Sequence, residues 1–245
     1  MLGGDGGSCQ ASGMKILLLC SLVLLAFPVP GFTGEKEPAV LFDGTSLEAF
    51  DFAEGAWEIA EDGSLTCKMK EVVDKNGKKK IQGMGYLWTK GEYENFELTL
   101  SYKLSEGANS GVFYRSTRDD SVHQGHEVQL MDNVGFQKTH GEKDERKLNG
   151  SFYEGKGPSA HPANPVGEWD TLKLRAVGPN IVCHINGVEV FNVDVNDWPE
   201  VGKNPDGTTN KFKVAIKDKP RKGYIGLQNH GQVVWFKDIK LTRLD

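Results

Sequence analysis

Residues 181–192 read Ile-Val-Cys-His-Ile-Asn-Gly-Val-Glu-Val-Phe-Asn, so two apolar-rich runs flank the dipeptide Asn186-Gly187. Asn-Gly between such runs favours a two-residue β-hairpin turn, because both central residues of that turn need a positive φ angle. The stretch therefore predicts two antiparallel strands, residues 181–185 and 188–192, joined by a tight turn.

Alternation of apolar and polar residues continues outward from this hairpin along most of the chain. A period of two is typical of strands that bury one face, and no long segment has the period of an amphipathic helix. We predict an all-β, jelly-roll sandwich of two antiparallel sheets in a single domain. The clearest further strands are residues 96–102, 111–115, 127–130 and 171–176, with a closing hairpin of residues 223–228 and 233–241 around Asn229-His230-Gly231.

Two polar segments, residues 134–149 and 155–167, are rich in Gly, Lys, His or Pro and predict long loops over one edge or face of the sandwich. Ordered loops of this length are often functional. A third charged segment, residues 68–80, contains Asn76-Gly77 and predicts a solvated hairpin tip.

The composition is that of an ordinary globular protein, with 26% charged residues and a formal net charge of −5 over 245 residues. Disordered, collagenous and coiled-coil proteins have far more biased compositions. A nucleic-acid partner or an anionic membrane surface would need an excess of Lys and Arg. A neutral or weakly charged ligand therefore fits the chain better, and we expect no nucleic-acid partner.

An apolar run, residues 16–27, follows Met14-Lys15 and precedes two prolines. One positive charge before about a dozen apolar residues is the build of a secretory signal peptide. We expect a signal peptide and leader over residues 1–34, with Met14 as a candidate initiator and a mature start near Glu35. This predicts a periplasmic or secreted protein with no membrane span after signal removal. A core helix and lipidation at Cys20 are the alternatives.

Signal removal leaves two cysteines, Cys67 and Cys183, each in a strand-like stretch. Export would permit a disulfide bond between them. Nothing in the sequence places the two strands side by side, so two buried free thiols remain the alternative.

Eight short motifs occur in a fixed order along the chain: residues 41–47 (LFDGTSL), 86–89 (YLWT), 107–115 (GANSGVFYR), 127–133 (EVQLMDN), 150–153 (GSFY), 167–169 (GEW), 186–187 (NG) and 226–231 (GLQNHG). Together they resemble the 3-keto-disaccharide hydrolase domain family, across about residues 40–244. The resemblance implies a concanavalin A-like jelly-roll fold over residues 35–245. It also implies export, action on glycosides whose sugar carries a ketone at C3, and a sugar 3-oxidoreductase as pathway partner.

Alternation also predicts which residues leave the core. In residues 127–130, Glu127 and Gln129 oppose Val128 and Leu130. If the strands are neighbours, these polar residues converge on one floor that can bind a sugar. The candidates are the catalytic residues Arg115, Glu127 and His230, the hydroxyl-binding amides Gln129 and Gln228, and the aromatic stacking platforms Trp88 and Tyr153.

Each of these assignments has a structural alternative. Arg115 and Glu127 could form an ordinary cross-strand ion pair, and Trp88 could be a core residue. Asn109, a candidate substrate-binding residue, stands at a turn-like position where backbone capping is the default. His123 and His126 have a metal-site spacing, but no third ligand is apparent.

A retaining glycosidase needs two carboxyl groups about 5 Å apart. Here residues 127–132 read Glu-x-Gln-x-x-Asp, so an amide replaces the central carboxylate. The chemistry implied by the family instead needs one base and one group that stabilises negative charge.

We assign Glu127 or His230 as the base and Arg115 as the cation that faces the developing negative charge. No cofactor is required, although a divalent metal held by Glu127 and His230 could assist. A non-catalytic carbohydrate-binding module is the alternative function.

Overall fold

Antiparallel strands dominate the described part of this computed structural model, which comprises Gly3 and residues 37–245. The helices in residues 37–245 are α1 (Asn133–His140) and the 3-10 turns Glu145–Lys147, Val195–Asp197 and Ile216–Asp218. The strands are β1 (Ala39–Phe42), β2 (Phe50–Asp51), β3 (Trp57–Ile59), β4 (Leu65–Cys67), β5 (Met69–Val73), β6 (Lys79–Gly83), β7 (Leu87–Thr89), β8 (Phe96–Leu104), β9 (Asn109–Ser116), β10 (His126–Met131), β11 (Trp169–Val177), β12 (Asn180–Ile185), β13 (Val188–Asp194), β14 (Tyr224–Leu227) and β15 (Val234–Arg243).

Two large sheets and one hairpin contain these strands. The larger sheet has the order β13-β12-β11-β8-β15-β4-β3, with β1 also paired to β15, and the smaller sheet has the order β10-β9-β14-β7-β2. The pairings are antiparallel, which confirms the predicted all-β sandwich. The third element, β5 with β6, confirms the hairpin predicted at residues 68–80.

Alternate residues of the strands build the core between the two sheets. Leu98 and Leu100 of β8, in the large sheet, and Val128 and Leu130 of β10, in the small sheet, belong to one buried cluster. Burial of one such side chain stabilises the fold by about 1.5–3 kcal/mol. The intervening residues of β10 are thereby directed to the opposite face of the small sheet.

The hairpin of β12 and β13 has the predicted turn. Asn186 and Gly187 have φ angles of 50° and 79°, as a tight hairpin turn requires. The Asn186 side chain fixes the turn further, because its Nδ2 donates to Asp170 Oδ1 at 2.6 Å.

The predicted closing hairpin is wrong. β14 lies in the small sheet between β9 and β7, whereas β15 lies in the large sheet between β8 and β4. The polar connection 228–233 therefore crosses from one sheet to the other, and Asn229 Nδ2 anchors it by donating to Lys68 O at 2.7 Å. Alternation shows which face of a strand is buried. It does not show which sheet the strand joins, because both sheets bury one face in the same core.

The predicted loop 134–149 begins as the helix α1. Asp132 caps it, accepting a hydrogen bond from the Gly135 amide at 3.1 Å, and also accepts one from the Gly107 amide at 2.8 Å. The helix has eight residues, of which only two are buried. Its sequence therefore lacks the apolar periodicity from which a helix is predicted. Residues 157–167 are irregular, as predicted.

Cys67 and Cys183 are both buried free thiols. Three strands, β15, β8 and β11, separate β4 from β12 in the large sheet. Since neighbouring strands lie about 4.8 Å apart, the two sulfurs are beyond bonding reach.

The predicted signal peptide and leader, Met14 and Cys20 included, lie outside the described residues apart from Gly3. Along residues 37–245, no helix has the length and apolar character needed to cross a bilayer.

Candidate functional site

The face of the small sheet that points away from the core carries the predicted site. Glu127 of β10 pairs in register with Phe113 of β9, and Gln129 pairs with Gly111. Trp88 joins them from β7, since Gly226 of β14 pairs with Trp88. The side chains of Trp88, Phe113, Glu127 and Gln129 are called the site floor below.

Glu127 is the carboxyl group of the site floor, and the residue is only 6% exposed. Gln228 Nε2 donates a hydrogen bond to Glu127 Oε1 at 3.2 Å. Burial raises the pKa of Glu127 to about 8, against smaller opposing effects of Lys211, Lys219 and the Gln228 bond. A carboxyl group with a pKa near neutrality can both accept and return a proton.

Gly111 leaves the space that the Glu127 carboxyl occupies, because a Cβ atom there would overlap Glu127 Oε1. We expect Gly111→Ala to displace the carboxyl toward water. The pKa of Glu127 should then fall by about one unit or more, one unit being about 1.4 kcal/mol. A carbon-13 NMR titration of the labelled carboxyl measures this, and a midpoint that stays near pH 8 contradicts the expectation.

A hydrogen bond joins the side chains of Gln129 and Asn109. Gln129 Nε2 donates to Asn109 Oδ1 at 2.6 Å and to Ser110 O at 2.9 Å. Asn109 therefore positions Gln129 in this structure, a contact that alternation alone could not indicate.

Aromatic rings pack along the site floor. Phe113 stacks on Trp88, with ring centroids 5.9 Å apart, and on Tyr86, with centroids 5.5 Å apart. Trp88 is 8% exposed and covers Gly226, where a Cβ atom would overlap its ring. Tyr86 is half-buried and was not among the residues selected from the sequence.

Tyr153 lies beside Glu127, because the Tyr153 amide donates to Glu127 O at 3.1 Å. Lys211 Nζ donates to the Tyr153 hydroxyl at 2.9 Å and lies 4.4 Å from the centroid of its ring. Burial, followed by the charge of Glu127, raises the pKa of Tyr153 to about 12. Tyr153 is thus a neutral hydrogen-bonding group at neutral pH.

Lys211 is a site residue that sequence reasoning missed. It is exposed, and its charge lowers the pKa of Glu127 against the larger, raising effect of burial. For His230, burial has the larger effect and the charge of Lys211 lowers the pKa in the same direction. It lies in an irregular polar segment, so neither period nor motif could indicate it.

A second amine, Lys219, is buried and donates to the carbonyl oxygens of Gly125 and Val122 at 2.7 and 3.2 Å. Burial lowers the pKa of Lys219 to about 7.

Arg115 is not on the site floor, so its predicted convergence with Glu127 is wrong. Its φ angle is 48°, and the pairing of β9 with β14 shifts register at this point, which breaks the alternation. Its Nε and Nη1 donate to Glu94 O and Gly178 O at 2.8 and 2.7 Å. Among the described residues no ion pair joins Arg115 to Glu127, so the alternative of a cross-strand pair is wrong as well.

His230 lies at the rim of the site floor, in the connection between β14 and β15. It lines a cleft of about 480 Å³ together with residues of the β5–β6 hairpin and Tyr86. The residue is exposed, yet desolvation by the surrounding protein lowers the pKa of His230. His230 is therefore a neutral imidazole at neutral pH.

In the region that the structure describes, no group of three or more His, Cys, Asp or Glu side chains is arranged to hold a metal ion. His126 faces the core, where its ring stacks on Tyr114 with centroids 5.4 Å apart. His123 packs edge-on against Phe212. Neither the His123/His126 pair nor the Glu127/His230 pair acquires a third ligand among the described residues.

Comparison with known proteins matches the 3-keto-alpha-glucoside-1,2-lyase-like domain to residues 37–242. A 3-keto-disaccharide hydrolase of Bacteroides thetaiotaomicron is 26% identical, in a match that covers 63% of this chain and 60% of that protein. The chain thus spans less than two thirds of the length of this curated relative.

Two crystal structures from Parabacteroides distasonis, each named a "putative glycosyl hydrolase", have similar folds. One is 30% identical, with a TM-score of 0.73, and the match covers 85% of this chain and 100% of the other. The second is 20% identical, with a TM-score of 0.66 and coverages of 85% and 94%, and supports the fold alone.

Proposed function

Because the chain belongs to the family of 3-keto-alpha-glucoside-1,2-lyase-like domains, we propose that it cleaves glycosides whose sugar ring carries a ketone at C3. Glu127 moves the proton at C2. The observation that carries this proposal is one buried carboxyl group, with a pKa of about 8, on an aromatic floor.

The C3 ketone makes the C2 proton acidic. Glu127 removes it, and the electron pair of the C2–H bond forms an enolate with its charge on the C3 oxygen. The enolate then expels the C1 substituent, which takes up a proton and leaves as an alcohol. Water adds at C1 and a proton returns to C2, so the net reaction consumes one water and yields a free 3-keto sugar.

The enolate oxygen needs a partner that carries positive charge or donates a hydrogen bond. Lys211 replaces Arg115 in this role, because the Arg115 guanidinium is bound to backbone carbonyl groups. Tyr153 holds the Lys211 ammonium through its hydroxyl and ring. A pre-positioned cation loses little freedom when the negative charge develops.

We expect Lys211→Met to lower kcat for a 3-keto-disaccharide by about 10²-fold, the typical effect of losing one such donor. Lys213→Met, two residues away and also exposed, is the matched control. Steady-state kinetics distinguish them, and equal rates in the two variants would exclude Lys211 from the reaction.

Double displacement through two carboxyl groups has little support here. Asp132 is the other acid of the motif at residues 127–132, and it accepts hydrogen bonds from the Gly107 and Gly135 amides. It is bound as a helix cap and is not a partner for Glu127. Elimination requires only the one carboxyl that the site floor provides.

Proton NMR in heavy water with a 3-keto-disaccharide, with and without chelator, tests the function. Release of sugar with deuterium at C2 supports elimination, and inhibition by the chelator would show that a divalent metal takes part. Ligand-induced line broadening with intact substrate would favour a carbohydrate-binding module, which the stacked Trp88 and Phe113 could also serve.

The predicted signal peptide supports a further part of the proposal, namely action in the periplasm or outside the cell. The substrate must come from an enzyme that oxidises the C3 hydroxyl of a glycoside to a ketone, so a sugar 3-oxidoreductase is the proposed pathway partner.

A further inference from the structure

The cleft beside the site floor has no role in the proton transfer described above. Its volume of about 480 Å³ lies within the usual range of small-ligand sites, about 300–1,000 Å³. The β5–β6 hairpin forms one wall, and the connection between β14 and β15 forms the other. The lining residues used below are Lys70, Gln82, Gly83, Tyr86 and His230.

The cleft adjoins the reacting groups. Tyr86 lines it and also stacks on Phe113 of the site floor. The amide of Gln228 reaches the Glu127 carboxyl at 3.2 Å and also the Tyr86 hydroxyl. A glycoside with its oxidised ring above Glu127 can therefore extend its C1 substituent past Tyr86 into the cleft.

Close packing holds the two walls together. A Cβ atom at Gly83 would overlap the backbone oxygen and the side chain of Asn229, so only glycine allows this approach. Asn229 Nδ2 also donates to Lys68 O, next to the start of β5. The hairpin is therefore fixed to the connection that carries Gln228 and His230.

The lining of the cleft presents unused hydrogen-bonding groups. Lys70 and Gln82 are direct cross-strand partners at the base of the hairpin, and both side chains are exposed. Within residues 37–245, no hydrogen-bond partner satisfies either side chain. An ammonium group and an amide together supply several donors and one acceptor, which suits a row of hydroxyl groups.

We propose that this cleft is the subsite for the leaving group, that it takes a hydroxyl-rich second sugar ring, and that Lys70 and Gln82 select it. This inference rests on the proposed function, since a leaving group exists only if the glycosidic bond is cleaved. An alkyl substituent at C1 would leave both side chains unused.

The test compares the full-length protein with the double variant Lys70→Ala/Gln82→Ala on two substrates, a 3-keto-disaccharide and methyl 3-keto-glucoside. Two lost hydrogen bonds, one of them from a charged donor, should lower kcat/KM for the disaccharide by about 10- to 100-fold. The methyl glycoside should react as fast as with the wild type. Lys80→Ala, on the same hairpin but outside the cleft, is the matched control.

An equal fall on both substrates, or no fall on the disaccharide, overturns the subsite. If the wild type cleaves neither substrate, the proposed function fails, and saturation-transfer NMR with the unoxidised disaccharide then decides on the cleft. A signal that the double variant loses and Lys80→Ala keeps supports the cleft as a binding site for a sugar ring through Lys70 and Gln82, while the leaving-group role fails with the proposed function. Equal signals, or no signal in the wild type, overturn that binding site.

Discussion

Replacement of Glu127 by glutamine is expected to lower kcat for a 3-keto-disaccharide by about 10³-fold, within the usual contribution of a positioned acid or base. The glutamine side chain retains an oxygen that can accept the hydrogen bond from Gln228, so the site floor should keep its shape. What is lost is the group that takes the C2 proton. Exchange of the C2 proton for deuterium, followed by NMR, measures that step directly.

The pH dependence provides the control for this variant. With a pKa of about 8 for Glu127, kcat/KM of the wild type should rise with pH and level off above about pH 8, and this limb should vanish in Glu127→Gln. Stability changes in the opposite direction. A carboxyl pKa raised from 4.5 in folding contributes stability that is fully present below pH 4.5 and is lost as pH rises through about 8.

Glu127→Gln should therefore be more stable than the wild type at about pH 9, above the folded-state pKa, as thermal unfolding can show. A variant that exchanges C2 at the wild-type rate would assign the base elsewhere, with His230 as the next candidate.

Replacement of Arg115 by methionine is expected to destabilise the protein by about 3 kcal/mol while kcat per folded molecule stays within about twofold of the wild type. Arg115 is completely buried, and its guanidinium satisfies two backbone carbonyl groups. Burial lowers the pKa of Arg115 to about 10, so the group is charged at neutral pH. Methionine fills similar space but leaves Glu94 O and Gly178 O without a donor.

Urea unfolding of Arg115→Met and of Arg175→Met measures this difference. Arg175 is an exposed arginine on β11, so its loss should change the free energy of unfolding by less than about 0.5 kcal/mol. A stable Arg115→Met variant with a large loss of kcat would contradict this expectation and show that Arg115 takes part in the reaction.

Much of the fold could be predicted from local patterns. Asn186-Gly187 specifies a turn by its own φ requirements, and alternation in β10 predicts the buried and outward residues. Sheet membership could not be predicted, because β14 and β15 both bury one face in the same core. The crossing at residues 228–233 depends on contacts distant in sequence, such as Asn229 with Lys68.

The candidate site divides in the same way. Glu127, Gln129 and Trp88 lie on one face because their strands are regular and belong to one sheet, although their roles remain predictions. Arg115 could not be placed correctly, since a left-handed backbone at a non-glycine residue gives no signal in the sequence. Lys211 and Tyr86 lie outside the regular strands, so only the folded chain brings them to the site.

The position of β15 in the interior of the large sheet has a consequence for how the chain folds. Until residues 234–243 are available, β8 and β4 lack the strand that joins them, and the sheet exists only as separate pieces. The pairing of β15 with β4 closes a loop of well over a hundred residues, and such distant contacts form slowly. A growing chain should therefore remain open to proteolysis until β15 docks between β8 and β4, and then become resistant in a single cooperative step.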